Sequence, residues 1–484
     1  MHFSVILRIL GLLLMVFSTT MLPPIGVAWW YGDGAMQPFV LAFGLTLMTG
    51  FLVWFPPIGG RRGELRNRDG FVVVVLFWSV LGAFGALPLM LGNDPHMSLT
   101  DAVFESLSGL TTTGATVITG IDTLPHAILY YRQQLQWLGG MGIIVLAVAI
   151  LPVLGVGGMQ LYRAETPGPV KDAKLTPRIA ETAKALWYIY LSLTIACALA
   201  YWAAGMSLFD AIGHSFTTVA IGGFSTHDAS MGYFNSALIE MIAVAFMLMS
   251  GVNFSLHFVA WRHRAIRPYF TDPEFRAYVF ILVLVAVIST LYLYWNHTFD
   301  NFGSAVHHGI FQAVSIGTTT GFTTAEYFAW PGFLPVLLLF TSFVGGCAAS
   351  TGGGLKVIRV VLLFKQGMRE IRRLIHPHAL IPIRIGDKPL SDRVVDAVWG
   401  FFAAYIASFS VMMLILMATG MDQVSAFSAV AACLNNLGPG LGEVGPHYGT
   451  LSNTAKWVLS FAMLLGRLEV FSLLVLLTPA FWRR

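Results

Sequence analysis

Apolar residues recur along the chain in runs of about 20, and short polar segments separate these runs. A helix of that length crosses the hydrocarbon core of a bilayer, so each run predicts a membrane-spanning helix. The even number of runs predicts that both termini lie on the same side of the membrane. The ten predicted spans are residues 4–30, 37–57, 71–93, 133–157, 184–205, 236–261, 276–296, 332–364, 395–419 and 455–480.

The composition agrees with a membrane protein, because 56% of the 484 residues are hydrophobic and only 11% are charged. A soluble protein of this size has a far more charged surface. The first apolar run carries Arg8 near its start and so resembles a signal peptide, but it lacks a clear small-residue cleavage site. A second run follows at once, and we therefore interpret the first as a retained helix.

Basic residues are concentrated in alternate connecting segments. The basic segments are residues 61–68, 163–184, 262–276 and 365–393, together with the C-terminal pair Arg483 and Arg484. The other set contains only Arg132 and Lys456. The positive-inside rule therefore predicts that both termini are cytoplasmic. The outer segments carry acidic residues such as Asp228 and Glu326, which attract cations, and the net charge of +4 gives no indication of nucleic-acid binding.

Four of the predicted outer segments share one pattern, a short apolar stretch followed by a glycine-bearing turn. The stretches are Asp101–Leu110, Asp210–Val219, His308–Gly317 and Ser425–Leu434. The turns are Thr111-Thr112-Thr113-Gly114, Ala220-Ile221-Gly222-Gly223, Thr318-Thr319-Thr320-Gly321 and Asn435-Asn436-Leu437-Gly438. The four glycines are spaced by roughly 100–117 residues, so we predict a unit of span, half-helix, turn and span that occurs four times.

This unit has the properties of a cation filter. Non-helical backbone at membrane depth is tolerated only beside protein or a water-filled cavity. The inward C-terminal end of each half-helix carries partial negative charge, and the turn offers carbonyl oxygens in place of an ion's hydration shell. We expect the ion to bind at Thr112, Thr113, Ile221, Gly222, Thr319, Thr320, Asn436 and Leu437. The alternative, that Gly and Thr merely ease helix packing, explains one turn better than four matching turns.

A glycine-rich segment interrupts the eighth span. Gly345, Gly346, Gly352, Gly353 and Gly354 lie within ten residues, and Lys356 follows. Each glycine costs a helix roughly 1 kcal/mol relative to alanine, so we predict a flexible intramembrane loop below the filter. Close helix packing through small residues is the alternative interpretation.

Arg467 is predicted to lie in the middle of the last span, where a charge should face a cavity or a partner. We expect it to hold the glycine-rich segment or to raise a barrier to cations; the alternative is an ion pair, for example with Glu469 of a neighbouring subunit. Glu105, His214 and Gln312 occupy matching positions on the first three half-helices, and we expect them to hydrogen-bond the filter backbone.

Five Cys and His residues are not predicted to bind metal. Cys197, Cys347 and Cys433 lie in apolar stretches with no metal-ligand spacing, so we expect buried thiols. His376 and His378 lie in a basic segment without a nearby cluster of further ligands.

The repeated turns and the glycine-rich segment resemble those of the Trk/Ktr/HKT superfamily of potassium transporters, and most closely its TrkH branch. The resemblance covers the full length and includes two additional N-terminal helices at about 4–57. In that family the four filter glycines contribute to potassium selectivity, and some relatives with serine at the first position lean toward sodium. All four positions are glycine here, which implies a preference for potassium, although the second and fourth turns depart from Thr-Thr-Thr-Gly.

The resemblance also implies an all-α integral membrane protein of the bacterial inner membrane, with four pseudo-symmetric pore repeats. The divisions are 1–60 for the N-terminal helices and 61–162, 163–265, 266–375 and 376–484 for the repeats. It further implies a gating loop in the third repeat, an arginine beside the pore that matches Arg467, and a homodimer with one pore per subunit. A cytosolic nucleotide-binding ring of the TrkA type is implied to dock on the basic face, since this chain has no nucleotide-binding motif of its own.

Two other classes of protein remain as alternatives. A substrate-coupled secondary transporter would show inverted repeats and paired broken helices, whereas these repeats run in one direction and one span is predicted to be broken. A membrane-embedded enzyme needs a cluster of intramembrane His, Asp, Glu or Cys, and the spans hold few such groups besides Arg467 and Glu469. We expect no enzyme activity and no cofactor, with potassium as substrate; passive transport and coupling to protons or sodium both stay open.

Overall fold

The computed structural model describes residues 3–55, 67–140, 142, 179–386 and 388–483. Within these residues the regular structure is helical except for one antiparallel pair of two-residue strands, β1 (Arg384–Ile385) and β2 (Lys388–Pro389), in which Arg384 faces Pro389. The all-α fold class is confirmed. Three sets of predictions lie outside the described residues. They are the basic residues at 61–66 and 163–178, the end of the span at 133–157, and the first two division boundaries.

Three helices precede the repeats: α1 (Phe3–Thr19), α2 (Leu22–Tyr31) and α3 (Met36–Trp54). α1 and α3 cross closely where Gly11 faces Gly50. A Cβ atom on Gly11 would lie 2.6 Å from Gly50 O, and one on Gly50 would lie 2.8 Å from Gly11 O. Small residues at this crossing therefore let the two backbones touch, as they do in many membrane helix pairs.

We keep the names of the predicted units and call them repeats 1 to 4, their half-helices pore helices and the turns that follow them filter turns. Repeat 1 has α4 (Asn67–Gly85), α5 (Leu87–Leu91), pore helix α6 (Leu99–Leu110) and α7 (His126–Gly140). Repeat 2 has α8 (Ile179–Ala203), pore helix α9 (Leu208–Ala220), α10 (Ala237–Ser250) and α11 (Phe254–His263), and α12 (Arg267–Thr271) follows it. Repeat 3 has α13 (Pro273–Trp295), pore helix α14 (Phe302–Gly317), α15 (Leu334–Val344) and α16 (Val357–Ile375). Repeat 4 has α17 (Asp392–Ala418), pore helix α18 (Gln423–Leu434), α19 (Asn453–Arg467), α20 (Phe471–Leu474) and α21 (Pro479–Trp482).

The described helices are those of a multi-pass membrane protein. Six are long and apolar enough to cross a bilayer, or up to eight if each of two bent helix pairs counts as one span. Large apolar side chains cover the outside of the molecule; Trp295 is 83% exposed and Phe280 is 66% exposed. Such a surface is stable against lipid and would be unfavourable in water.

Two second spans that we predicted to be continuous are bent. α10 and α11 meet at 92°, and α19 and α20 meet at 109°, so the predictions of one helix over 236–261 and of another over 455–480 were wrong. At the first bend Gly251 O accepts a hydrogen bond from Cys347 N at 2.8 Å, and Asn253 caps the next helix. At the second bend Glu469 and Val470 both have positive φ. Hydropathy does not report these changes of direction, because the apolar run continues through them.

The pore helices begin at residues whose side chains cap them. The caps are Ser98, Ser207, Asn301 and Asp422, and each accepts a hydrogen bond from a backbone N–H of the first turn. An oxygen at this position satisfies a donor that the helix itself leaves unpaired. The third pore helix begins at Phe302, six residues before the predicted His308. The buried ends of all four helices lie in the middle of the molecule, where they position the filter turns.

Candidate ion pathway

The four filter turns have the same backbone conformation. Thr112, Ile221, Thr319 and Asn436 have φ between 52° and 67°, and the glycine two residues later in each turn has φ between 80° and 99°. The N–H of the intervening residue bonds the carbonyl five residues earlier in every repeat, at 2.8 or 2.9 Å. The two degenerate sequences, in repeats 2 and 4, therefore fold as the two Thr-Thr-Thr-Gly turns do.

The filter turns form a closed ring. A Cβ atom on Gly114 would lie 2.1 Å from Gly222 O, one on Gly223 would lie 2.1 Å from Thr320 O, one on Gly321 would lie 2.2 Å from Leu437 O, and one on Gly438 would lie 2.6 Å from Thr113 O. Each glycine thus touches the carbonyl that precedes the glycine of the next repeat, and the fourth repeat returns to the first. Backbone from all four repeats meets around one axis, in chain order.

A cavity of about 370 Å³ opens on one side of this ring. All four filter glycines line it, together with Asp228, Glu326, His227 and His447 among others. We name this space the vestibule. Its carboxylates give a dissolved cation a favourable approach to the ring.

The polar residues behind the filter differ in what they contact. Glu105 is buried, accepts a hydrogen bond from Val117 N at 2.9 Å and pairs with Arg132 at 2.8 Å. Gln312 donates to Phe322 O at 3.3 Å, next to Gly321, as expected, whereas Glu105 bonds backbone three residues beyond Gly114. His214 Nε2 instead lies 2.9 Å from the Ser225 hydroxyl, so the prediction of a bond to the filter backbone was wrong for that residue. Glu105 has two carboxylate oxygens and bonds both the Thr116 hydroxyl and Val117 N, whereas His214 has only Nε2 on this side because its Nδ1 lies 2.9 Å from Asp210 O.

Sequence reasoning missed Gln136 altogether. Its side chain donates to Gly222 O at 2.6 Å and accepts from Phe224 N at 3.0 Å, so one amide holds both sides of the second filter turn. Tyr448 likewise bonds the filter turn of repeat 4, because its hydroxyl donates to Gly438 O at 2.7 Å. Gln136 carried no signal because it lies 86 residues from its turn, and Tyr448, ten residues after Gly438, lies beyond the repeated pattern.

The two basic residues that broke the charge pattern are both paired with buried or half-buried acids. Arg132 pairs with Glu105, and Lys456 pairs with Asp101 at 2.6 Å. Both acids lie on the pore helix of repeat 1. Arg132 and Lys456 are the two basic residues in a set of segments otherwise poor in Lys and Arg. That exception was the signal that could have identified these pairs.

His227 connects two repeats beside the vestibule. Its Nδ1 lies 2.6 Å from Asp122 Oδ1, and its Nε2 lies 3.5 Å from Asp210 Oδ1. Burial alone would lower the pKa of this imidazole, but the two carboxylates outweigh burial and raise the pKa above its ordinary value. The carboxyl pKa of Asp210 is lowered, because the hydrogen bonds from His227, Ser207 and Thr226 outweigh its burial.

The segment Gly345–Gly354, here called the glycine loop, lies against the inner ends of the pore helices. Gly353 N donates to Thr319 Oγ1 at 2.7 Å, and Gly354 N donates to Asn435 O at 3.1 Å. Thr351 Oγ1 donates to Val219 O at 3.1 Å. The loop is non-helical as predicted, and it contacts repeats 2, 3 and 4 directly below their filter turns.

Two basic side chains lie with the glycine loop. Lys356 is buried and its ammonium group bonds Gly352 O. Arg467 bonds Gly139 O, Thr351 O at 3.3 Å and Thr112 Oγ1 at 3.4 Å. Arg467 ends α19 at the bend, so its predicted position in the middle of a straight span was wrong. The guanidinium therefore bridges the loop to repeat 1.

Two carboxylates fix the loop and the bend that adjoins it. Glu274 Oε1 accepts hydrogen bonds from Ala348 N at 2.7 Å and from Ile358 N at 3.2 Å. Ala348 lies inside the glycine loop, and Ile358 lies on the helix that follows it. Glu469 lies 2.5 Å from Arg359 of the same chain. Within one chain, therefore, Glu469 already has a basic partner.

Other predicted residues lie away from the pathway. His376 and His378 lie at and beyond the end of α16 and are exposed, and the three cysteines are buried. Arg369, in the basic segment at 365–393, is buried and pairs with Asp392 at 2.9 Å. On that helix Lys365 and Arg372 are exposed, and Arg373 is half-buried.

Comparison with known proteins identifies the family. Residues 36–484 match the family model TrkH, described as a cation transport protein. The chain is 63% identical to the Trk system potassium uptake protein TrkH of Vibrio parahaemolyticus and 58% identical to that of Escherichia coli K12, each over 100% of both chains. It also matches a crystal structure of the potassium transporter TrkH from Vibrio parahaemolyticus, with a TM-score of 0.91 and 60% identity over 100% of both chains. The chain belongs to the TrkH family of cation transport proteins.

Proposed function

We propose that this chain carries potassium ions into the bacterial cell across the inner membrane, through a filter formed by the four glycine turns. The relatives that match over their full length are potassium uptake proteins by name. The observation that carries the proposal is the ring of backbone carbonyls closed by Gly114, Gly223, Gly321 and Gly438. Carbonyl oxygens in such a ring replace the hydration shell of a monovalent cation.

The electrostatics of the pathway favour a cation over an anion. The C-terminal ends of four pore helices point toward one region, and each contributes about half a negative elementary charge. The vestibule adds the carboxylates of Asp228 and Glu326 on one side of the ring. An anion would meet unfavourable potential at both places.

We propose that the glycine loop, with Lys356 and Arg467, is the gate. Loop backbone bonds Thr319 and Asn435 of the filter repeats, so a shift of the loop changes what lies directly below the ring. The buried ammonium group of Lys356 raises the energy of a cation in the same space. Glycine at five of ten positions lets this segment adopt backbone angles that other residues resist.

We also propose the four repeat divisions, cytoplasmic termini, a homodimer with one pore per subunit and control by a cytosolic nucleotide-binding ring of the TrkA type. The concentration of Lys and Arg in alternate segments supports the orientation. Exposed Arg372, with half-buried Arg373 beside it, supports a docking surface at the far end of the helix that follows the gate.

Ion flux into liposomes tests the proposed function. Purified protein is reconstituted, and potassium and sodium influx are measured for the unmodified chain and for Gly321→Ser. We expect potassium influx well above sodium influx, with weaker discrimination in the variant, because a Cβ at this position would collide with Leu437 O.

Equal influx of the two ions in the unmodified protein would contradict the potassium preference. A closed gate could abolish all flux, so Lys356→Gln is measured in parallel as a variant with a weakened gate. Absence of potassium flux in both proteins would contradict the proposed pore.

A further inference from the structure

Three metal-ligating side chains meet outside the ion pathway. Glu240, His307 and His308 each offer one ligand atom, and these atoms all lie within 4.8 Å of one another. Glu240 belongs to α10 of repeat 2, whereas the two histidines are consecutive residues of pore helix α14 in repeat 3. The cluster therefore joins two repeats.

The two nearest members are already in contact. His307 Nε2 bonds Glu240 Oε2, and the carboxylate side chain is only 5% exposed, whereas the imidazole is 20% exposed. This pair uses one carboxylate oxygen and one ring nitrogen. The neighbouring imidazole of His308 adds a further nitrogen donor that an ion pair alone does not need.

The ring of His308 is oriented by its surroundings. Its Nδ1 lies 2.9 Å from Thr324 Oγ1, and its ring stacks on Phe299 with centroids 4.5 Å apart and planes 16° apart. Its other ring nitrogen makes no hydrogen bond to the described residues. A hydrogen bond from one nitrogen to a fixed partner is the usual way in which proteins orient a metal-binding histidine.

The donor set selects the class of metal. Two imidazole nitrogens and one carboxylate oxygen suit zinc and related divalent transition metals, whereas potassium and magnesium prefer oxygen ligands alone. Zinc binds these atoms at about 2.0–2.2 Å in tetrahedral sites, so its ligand atoms lie roughly 3.3 Å apart. Side-chain rotations that move the ligand atoms by about 1–1.5 Å would bring the present cluster to that spacing, and a water molecule would be the fourth ligand.

We propose that Glu240, His307 and His308 bind one divalent transition-metal ion of the zinc class. Thr324 lines the vestibule, so the site lies on the vestibule side of the molecule. A metal ion there ties α10 to the pore helix of repeat 3. His308 also contacts Thr324, which lies three residues after Gly321, so the metal ion would be linked to the segment that follows the third filter turn.

Zinc binding to the full-length protein tests the site. Protein in detergent, with any affinity tag removed and treated with chelator, is titrated with zinc by calorimetry. We expect one ion per chain, and affinity weakened by about 100-fold or more in Glu240→Gln and in His308→Gln, since even outer-shell changes cost metal sites about 10–100-fold. The matched control is His96→Gln, which removes an exposed histidine of another segment and should leave the affinity unchanged.

A structural measurement accompanies the titration. Zinc should raise the thermal melting temperature of the unmodified protein and of His96→Gln, and should fail to raise that of the two ligand variants. X-ray absorption at the zinc edge should show two imidazole ligands. Absence of stoichiometric binding, or equal affinity in the unmodified protein and both ligand variants, would overturn the proposal.

Discussion

At the scale of single residues, the filter glycines are constrained twice. Each has a positive φ, which costs a residue with a side chain about 1–2 kcal/mol, and each has a neighbouring carbonyl where a Cβ would lie. The second constraint separates them from positive-φ glycines such as Gly120, which only permit a turn. Gly345 and Gly354 of the glycine loop share both constraints.

Gly114→Ala tests this distinction against Gly120→Ala. Both glycines have positive φ, of 80° and 72°, but a Cβ on Gly120 would meet only Thr123 Oγ1 at 3.6 Å, whereas one on Gly114 would meet Gly222 O at 2.1 Å. We expect a similar loss of about 1–2 kcal/mol in stability from the backbone conformation in both. Only Gly114→Ala should displace the carbonyl and reduce potassium-over-sodium discrimination in liposome flux. Full discrimination in Gly114→Ala would contradict the role of the ring.

Glu105→Gln tests the buried pair behind the first filter turn. The change leaves the guanidinium of Arg132 buried without its partner charge, which typically costs about 3–5 kcal/mol. Thermal unfolding in detergent should show this as a large drop in melting temperature. Asp300→Asn, at an exposed carboxylate, is the control and should change stability by no more than about 0.5 kcal/mol. Similar melting temperatures for the two variants would show that the pair contributes little.

At the scale of elements, the second spans are where the repeats differ most. The described part of the chain has a 92° bend in repeat 2, an extended glycine loop in repeat 3 and a 109° bend in repeat 4. The loop and the two bends are linked, since Gly251 O accepts from Cys347 N and Arg467 donates to Thr351 O. Movement of the loop therefore requires rearrangement of contacts at both bends.

Lys356→Gln should increase potassium flux. Removing a buried positive charge below the filter lowers the electrostatic barrier by about 1–2 kcal/mol, which corresponds to about tenfold in rate. The control is Lys365→Gln on α16, which removes an exposed ammonium group that bonds Arg384 O of β1. Flux through liposomes at low ionic strength compares the two. Unchanged flux in Lys356→Gln would mean that this charge does not contribute to the barrier.

His227 should make stability depend on pH near neutrality. Its pKa is raised by Asp210 and Asp122, so the folded protein holds its proton more tightly than the unfolded chain does. This stabilisation is complete below the ordinary histidine pKa of about 6.5 and is lost as pH rises through the raised value. The lowered pKa values of Asp122 and Asp210 change the stability only at acidic pH, below this window.

The measurement is the melting temperature from pH 5.5 to pH 8.5, values chosen to span the ordinary histidine pKa of about 6.5. A fall across this range should be present in the unmodified protein and reduced in His227→Gln. His447→Gln, at another vestibule histidine, should keep the fall. An identical pH profile in His227→Gln would show that the contact with Asp122 and Asp210 does not control it.

At the scale of the whole molecule, four units of different sequence form one ring. Much of this arrangement could be predicted, because the filter turn needs glycine at one position and the half-helix before it is too short to span a membrane. Those requirements are local, so they leave a signal even in Ala220-Ile221-Gly222-Gly223, which shares only its glycine with the Thr-Thr-Thr-Gly pattern.

What could not be predicted depends on distant partners. The amide of Gln136 holds a turn 86 residues away, and Lys456 pairs with an acid 355 residues away. The bend at Gly251 is likewise stabilised by the glycine loop of another repeat, and the apolar run gives no indication of it. These contacts follow from the closed order of the repeats, which a pattern within one segment does not specify.

The position of the bound ion is the most direct test of a filter formed by the four glycine turns. Crystals grown with rubidium or thallium, which replace potassium and scatter anomalously, would place the ion. We expect anomalous density on the axis of the ring, among the carbonyl oxygens of Thr113, Gly222, Thr320 and Leu437. Density confined to a site away from this axis, with none inside the ring, would contradict a filter made by the four glycine turns.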